Sequence, residues 1–234
     1  MAKLQENTGS ETVHYTSINE QVYTIVKKRI IERRFAAGAK LDINALADEL
    51  GISRMPVVDA LTRLETEGLV ERRNRVGTFV TPMDRTRYEE IYAAREMIEQ
   101  WAAQSIVARI SDEDISALSR LLEQTRLLLE NVSEDTFDYQ QFSEYDGIFH
   151  LSLIKLCGNS YLMNFYASMN SHVQIVRVLS LAALKRSQET QVEHENILRA
   201  YEARDVEKVR VAQSIHLEKS RIGVLKTLQL HENI

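Results

Sequence analysis

The chain has little cysteine, proline and glycine. It holds one cysteine, two prolines and eight glycines in 234 residues. A single Cys157 excludes an intramolecular disulfide, which fits a reducing compartment. Its neighbours Leu153, Ile154 and Leu156 predict a buried apolar role for the thiol. So few helix breakers predict a mostly helical chain. No apolar run approaches the ~20 residues that cross a bilayer, and the opening MAKLQENTGSETVHYTS has no apolar secretory region. The expectation is a cytoplasmic protein without a membrane partner. Positive charge is also scarce, with a net charge of -5. It is unevenly spread. Residues 17–82 hold 11 Lys+Arg against 9 Asp+Glu, and residues 83–234 hold 17 against 23. The first part can therefore present a basic face while the whole chain stays acidic.

The most informative stretch is LDINALADELGISRMPVVDALTRLETEGLVERRNRVGTFV, Leu41 to Val80. Leu46, Ala47 and Leu50 form an apolar stripe on a short helix, which Gly51 ends by supplying a left-handed cap. Ser53 is placed to cap a second helix, whose inward face is Val57, Ala60, Leu61 and Leu64 at helical spacing. Arg54 and Arg63 lie off that stripe and remain available to a partner. Gly68 ends the helix, and two strands follow, Leu69–Arg73 and Thr78–Val80. The turn between them contains Asn74 and Gly77, residues that tolerate positive φ. Helix, tight turn, helix and basic hairpin make a winged helix-turn-helix, whose second helix leads into the DNA major groove with its N-terminal residues. Its free N–H groups also favour a phosphate.

This run resembles the GntR family of bacterial transcription regulators. Gly38, Leu41, Leu46, Ala47, Leu50, Gly51, Ser53, Arg54, Pro56, Val57, Ala60, Leu61, Leu64, Gly68, Leu69, Val70, Gly77 and Val80 match the family pattern in register. The resemblance implies a double-stranded DNA operator, an inverted repeat read by a homodimer. It carries over Arg54 as a DNA contact and Gly77 as the wing tip. Ser53, Arg63 and Arg75 are expected on the same face. Asn44 stands where members that use the first helix often have Arg. Val58 replaces a usual Arg, and is read either as a contact to a thymine methyl or as an extra core residue. Asp59 replaces a usual Glu.

The expected organisation is a flexible tail over 1–16, the DNA-binding domain over 17–82, a linker over 83–86 and a helical domain over 87–230. Ser17 and Glu20 fit a capping box, followed by Ile18, Val22, Ile25, Val26 and Ile30 at helical spacing. After the linker, six amphipathic helices with short connections predict an all-α antiparallel bundle. They are expected over Arg87–Arg109 (with Ile91, Ala94, Ile98, Trp101, Ala102 and Ile106 inward), Ser111–Glu130, Glu134–Leu156, Tyr161–Leu184, Gln188–Ala203 and Val206–Leu230. The fold class is thus mainly α, a winged helix-turn-helix with a small β-hairpin wing followed by the bundle.

Asp146 and His150 are four apart on one helix face, and His194 and His216 lie on two later helices. One carboxylate and three imidazoles suit a divalent transition metal such as Zn, Ni or Mn. This half is similar to the FCD domain of the FadR subfamily of GntR regulators. Its metal-binding members carry D-x-x-x-H, then E-H-x-x-I-x-x-A, then H on the last helix. The resemblance implies a metal held by Asp146, His150, His194 and His216, and a small organic acid beside it. Arg95 matches the arginine that pairs with the acid's carboxylate, the alternative being an intrahelical pair with Glu99 or Glu96. His14, His172 and His231 match no ligand position. The function so implied is a DNA-binding regulator, a repressor, controlled by a small carboxylate. A metal-dependent enzyme is the alternative from another class, and no nucleophile motif accompanies the cluster. An acyl-thioester-sensing regulator is the third reading, opposed by the filled histidine set.

Overall fold

Helix α1 (Ile18–Ile31) begins at Ser17, whose hydroxyl accepts the Glu20 N–H at 3.2 Å. The Glu20 carboxylate does not close the expected box; it pairs with Arg63 at 2.6 Å. The computed structural model describes residues 17–82, 84–181 and 183–232. The expected tail, with His14, and Met83 of the expected linker lie outside the described residues, as does the side chain of His231. The buried face of α1 is Val22, Tyr23, Val26 and Ile30. Ile18 and Ile25, expected on that face, are 57% and 37% exposed. Tyr23 turns the helix towards its neighbour instead, and its hydroxyl donates to Glu67 at 2.5 Å.

Strand β1 (Lys40–Leu41) precedes α2 (Ile43–Leu50) and α3 (Arg54–Thr66), and β2 (Val70–Arg73) and β3 (Gly77–Val80) form the wing. The wing is three-stranded rather than a two-stranded hairpin. β3 lies between β1 and β2, with Lys40 opposite Phe79 and Val70 opposite Val80. Asp42 caps α2 by accepting from the N–H groups of Asn44 and Ala45. Gly51 takes the left-handed conformation at φ 65° that ends α2 as expected. Val57, Ala60, Leu61 and Leu64 of α3 are buried against α1. Each fully buried Val or Leu contributes roughly 1.5–3 kcal/mol by leaving water.

The second half consists of α4 (Arg85–Val107), α5 (Asp112–Leu127), α6 (Tyr139–Leu156), α7 (Ser160–Ser180), α8 (Leu184–Glu202) and α9 (Val206–Glu232). Helix α4 starts at Arg85 behind an Asp84 cap, inside the expected linker. Helix α6 starts five residues later than expected, because Ser133 and Thr136 close a turn first and Asp138 caps the helix. Helix α8 starts four residues earlier, after a break that contains neither glycine nor proline. The bundle core gathers Ile98, Ala102, Ile106, Leu122, Phe149, Leu153, Ile197 and Tyr201 around the expected buried Cys157. Trp101, expected inward, is 56% exposed. Among the described residues no helix is long and apolar enough to cross a membrane.

Candidate metal centre and nucleic-acid interface

Three helices bring Asp146 and His150 (α6), His194 (α8) and His216 (α9) together inside the bundle. All four are buried, and one ligand atom from each lies within 4.8 Å of the others. The ring centroids of the three histidines are 4.7–5.0 Å apart. His194 Nε2 lies 3.4 Å from the Asp146 carboxylate. Spacing on α6 explains the first two, since residues four apart share a face. The other two depend on how α8 and α9 pack.

A carboxylate orients one of the imidazoles, and a second carboxylate faces another. Glu193 accepts from His216 Nδ1 at 2.9 Å, so the proton sits on Nδ1 and the Nε2 lone pair is bare. Glu193 is held in turn by both terminal nitrogens of Arg186, at 2.9 and 2.8 Å. Burial alone raises the Glu193 carboxyl, but its bonds from His216 and Arg186 outweigh this and bring it to about 2. Glu99 stands 3.5 Å from His150 Nδ1. Burial opposes the charge on Glu99 as well, and Arg95 wins, with His150 and Tyr166, holding it well below the usual carboxylate range. Burial lowers His150 to about 3 and takes His194 well below the ordinary histidine value. Neutral imidazole is the form that binds a metal.

The residues fit a divalent transition ion. Both ring nitrogens of His150 and the Nε2 atoms of His194 and His216 are buried without a hydrogen-bond partner. Leaving such a group unsatisfied costs about 1–3 kcal/mol, and a metal ion would take up one lone pair from each of the three imidazoles. Histidine nitrogens with one carboxylate oxygen suit Zn, Ni or Mn better than Ca or Mg.

Arg95 on α4 adjoins this cluster through Glu99. Its Nε donates to Glu99 at 2.6 Å, so the intrahelical pair is formed. Its Nη2 is buried with no partner, which leaves one edge of a fully buried guanidinium unmet. Tyr166 of α7 also donates to Glu99, at 2.6 Å. Sequence reasoning missed the orienting role of Glu193 and the part of Tyr166. Glu193 was visible only as the residue before His194, and no spacing pointed to Tyr166.

At the other end of the molecule, Ser53 is the N-cap of α3 by its extended backbone but makes no capping bond with its side chain, contrary to expectation. Its hydroxyl and the first N–H groups of α3 are therefore open to an anion. Arg54, Asn44 and Arg75 are exposed. Among the described residues Arg54 and Arg75 have no carboxylate partner, whereas Arg72 and Arg73 pair with Glu65 and Glu71. Arg63, expected to be available, is instead tied to Glu20 and stacked 3.6 Å from the Tyr23 ring centre, because α1 crosses α3 there. Val58 lies half-buried in the wall of a groove of about 470 Å³ between α3 and the wing, outside the buried core. In the wing turn, Arg75 rather than Asn74 takes the positive φ, at 62°. A non-glycine residue there carries roughly 1–2 kcal/mol of strain. Gly77 has φ 138°, and a Cβ on it would stand 2.8 Å from Lys40 Cε.

Comparison with known proteins agrees with both halves. The pattern of the gntR family of bacterial regulatory proteins matches residues 18–80, and that of the FCD domain matches residues 90–219. An uncharacterized HTH-type transcriptional regulator of Bacillus subtilis, YdhC, is 28% identical over 177 residues, covering 76% of this chain and 77% of its own. The gluconate operon transcriptional repressor of the same organism is 26% identical over 196 residues, covering 82% and 77%. The structure of Escherichia coli McbR/YncC superposes with a TM-score of 0.76 at 21% identity, covering 92% of this chain and all of that one. Both sequence relatives are named as transcriptional regulators, not enzymes. A winged helix-turn-helix that matches one pattern and a helical domain that matches the other, in that order, make this chain a member of the GntR family of transcriptional regulators with a C-terminal FCD domain.

Proposed function

We propose that the protein is a homodimeric repressor whose affinity for its operator is set by a small organic acid bound beside a divalent transition metal. The observation that carries this reading is the joint presence of four convergent, buried metal-ligand side chains and, beside them, a buried arginine with one guanidinium nitrogen, Nη2, without a partner. Asp146, His150, His194 and His216 would hold the ion, with Glu193 orienting His216 and Glu99 facing His150. When bound, the ion would supply a Lewis acid beside which a carboxylate could be held. Arg95 Nη2 then pairs with the same carboxylate, an arrangement guanidinium favours. A relative named for the gluconate operon is consistent with an organic-acid effector.

On the DNA side, Arg54, at the start of α3, reads the major groove with Val58 behind it. Ser53 and the α3 N-terminus take a phosphate, Asn44 supports them from α2, and Arg75 and Gly77 bring the wing to the backbone. Arg63 acts from behind, by fixing α3 on α1. One recognition helix covers only a few base pairs, so a dimer on an inverted repeat supplies the second half-site. The protein then works in the cytoplasm. The effector changes DNA affinity only by its differential affinity for the two arrangements of the dimer. The test is fluorescence anisotropy of operator DNA with zinc-loaded protein against a panel of small mono- and dicarboxylates. A carboxylate that shifts the DNA affinity of the wild type but not of Arg95→Ala supports the reading. A panel without effect on either overturns the effector role.

A further inference from the structure

Helix α7 belongs to both hydrophobic cores. Tyr166, Met169 and Val173 pack in the bundle, while Ile175 packs in the DNA-binding domain with Val22, Val26 and Leu64. Between them His172, which matched no expected role, bonds out of the bundle. Its Nε2 lies 2.6 Å from the Glu67 carbonyl. A carbonyl only accepts, so Nε2 carries the proton and donates. Glu67 is the C-cap of α3, the helix that reads DNA. The fit is tight on the next residue too, since a Cβ on Gly68 would stand 3.3 Å from the same ring nitrogen. Six residues earlier, about 9 Å along a helix, Tyr166 donates to Glu99, which faces His150 and Arg95.

The geometry points to α7 as the element that connects the metal and effector cluster to the recognition helix, with His172 as the positioning residue at its far end. The chain runs from His150 and Arg95 to Glu99, to Tyr166, along α7 to His172, and to the last carbonyl of α3. A ligand that changes how Arg95 and His150 share Glu99 alters what Tyr166 is bonded to. A helix packed in two cores passes that change on as a rigid body, because close-packed interiors do not absorb it. Its consequence for operator binding rests on the function proposed above, but the coupling itself is measurable without DNA or effector.

The experiment is hydrogen exchange on the full chain, read at residues 64–70, at α7 and at α2 as an internal control. Tyr166→Phe removes only the hydroxyl given to Glu99. The expected result is faster exchange in α7 and a roughly 3- to 10-fold increase at 64–70, the size of one neutral hydrogen bond, with α2 unchanged. In a His172→Ala background the same Tyr166→Phe change no longer alters 64–70. A His172→Gln background, which keeps an N–H donor, restores the response. Zinc added to the wild type slows exchange at 64–70, and His172→Ala abolishes that effect as well. The coupling is overturned if 64–70 ignores Tyr166→Phe, if it responds equally with and without His172, or if α2 rises in parallel. Zinc that changes exchange nowhere refutes the metal centre, and the Tyr166→Phe comparison then still decides the coupling.

Discussion

Glu193→Gln isolates the orientation of His216 from the ligand set itself. Glu193 accepts the His216 Nδ1 proton at 2.9 Å and is gripped by Arg186, so its position and its charge are both fixed. Glutamine keeps the volume and an acceptor oxygen but removes the negative charge that makes the imidazole a stronger donor of its Nε2 lone pair. Loss of such an orienting carboxylate lowers metal affinity typically 10- to 100-fold, or roughly 1.4–2.7 kcal/mol. The conservative change belongs at the lower end, near tenfold, and Glu193→Ala at the upper, because alanine also leaves Arg186 without its main partner in a half-buried site. Competition against a chromophoric zinc chelator measures both, with circular dichroism as the check on folding. Zinc binding by Glu193→Gln that equals the wild type, in a protein where His216→Ala loses the ion, refutes the orienting role.

Three further outcomes are expected. Arg54→Ala weakens operator binding by about 1–3 kcal/mol if it reaches a guanine edge; anisotropy that shows equal loss on operator and random DNA makes it a phosphate contact instead. Gly77→Val destabilises the wing through its positive φ, and loses both stability and DNA affinity; a melting temperature equal to the wild type contradicts the need for glycine. For the metal-free protein, His150 and His194 stay neutral in the fold but protonate in the unfolded chain. The unfolded state therefore takes up more protons below about pH 6.5, and stability falls as pH drops from there towards 3, by up to about 1.4 kcal/mol per pH unit for each histidine. Urea unfolding across that range checks this, and stability unchanged between pH 7 and 5 contradicts it.

Much of the DNA-binding half was legible because its signals are local. Gly51, Gly68 and the stripe of Val57, Ala60, Leu61 and Leu64 mark boundaries and faces within single elements. Strand β1 was not legible, since two residues carry no alternation and Lys40–Leu41 is a strand only by pairing with β3. Tyr23 replaced Ile18 and Ile25 on the buried face of α1 because its partner, Glu67, comes from another helix. The start of α8 was missed because no glycine or proline marks it. In the bundle, Asp146 and His150 share a face by spacing, His194 and His216 stood out beside them only as further imidazoles, and the resemblance joined the four into one site. Glu193, Tyr166 and His172 act between helices, and such contacts leave no period in a sequence.

The proposed regulation depends first on Asp146, His150, His194 and His216 forming a metal centre. Elemental analysis of the full chain, purified without chelator and again after dialysis against zinc, nickel or manganese, tests it most directly. The wild type is expected to carry one divalent transition ion per chain and His194→Ala none, with its circular dichroism unchanged from the wild type. A wild-type protein that takes up none of the three ions, or a His194→Ala protein that retains a full equivalent, contradicts it.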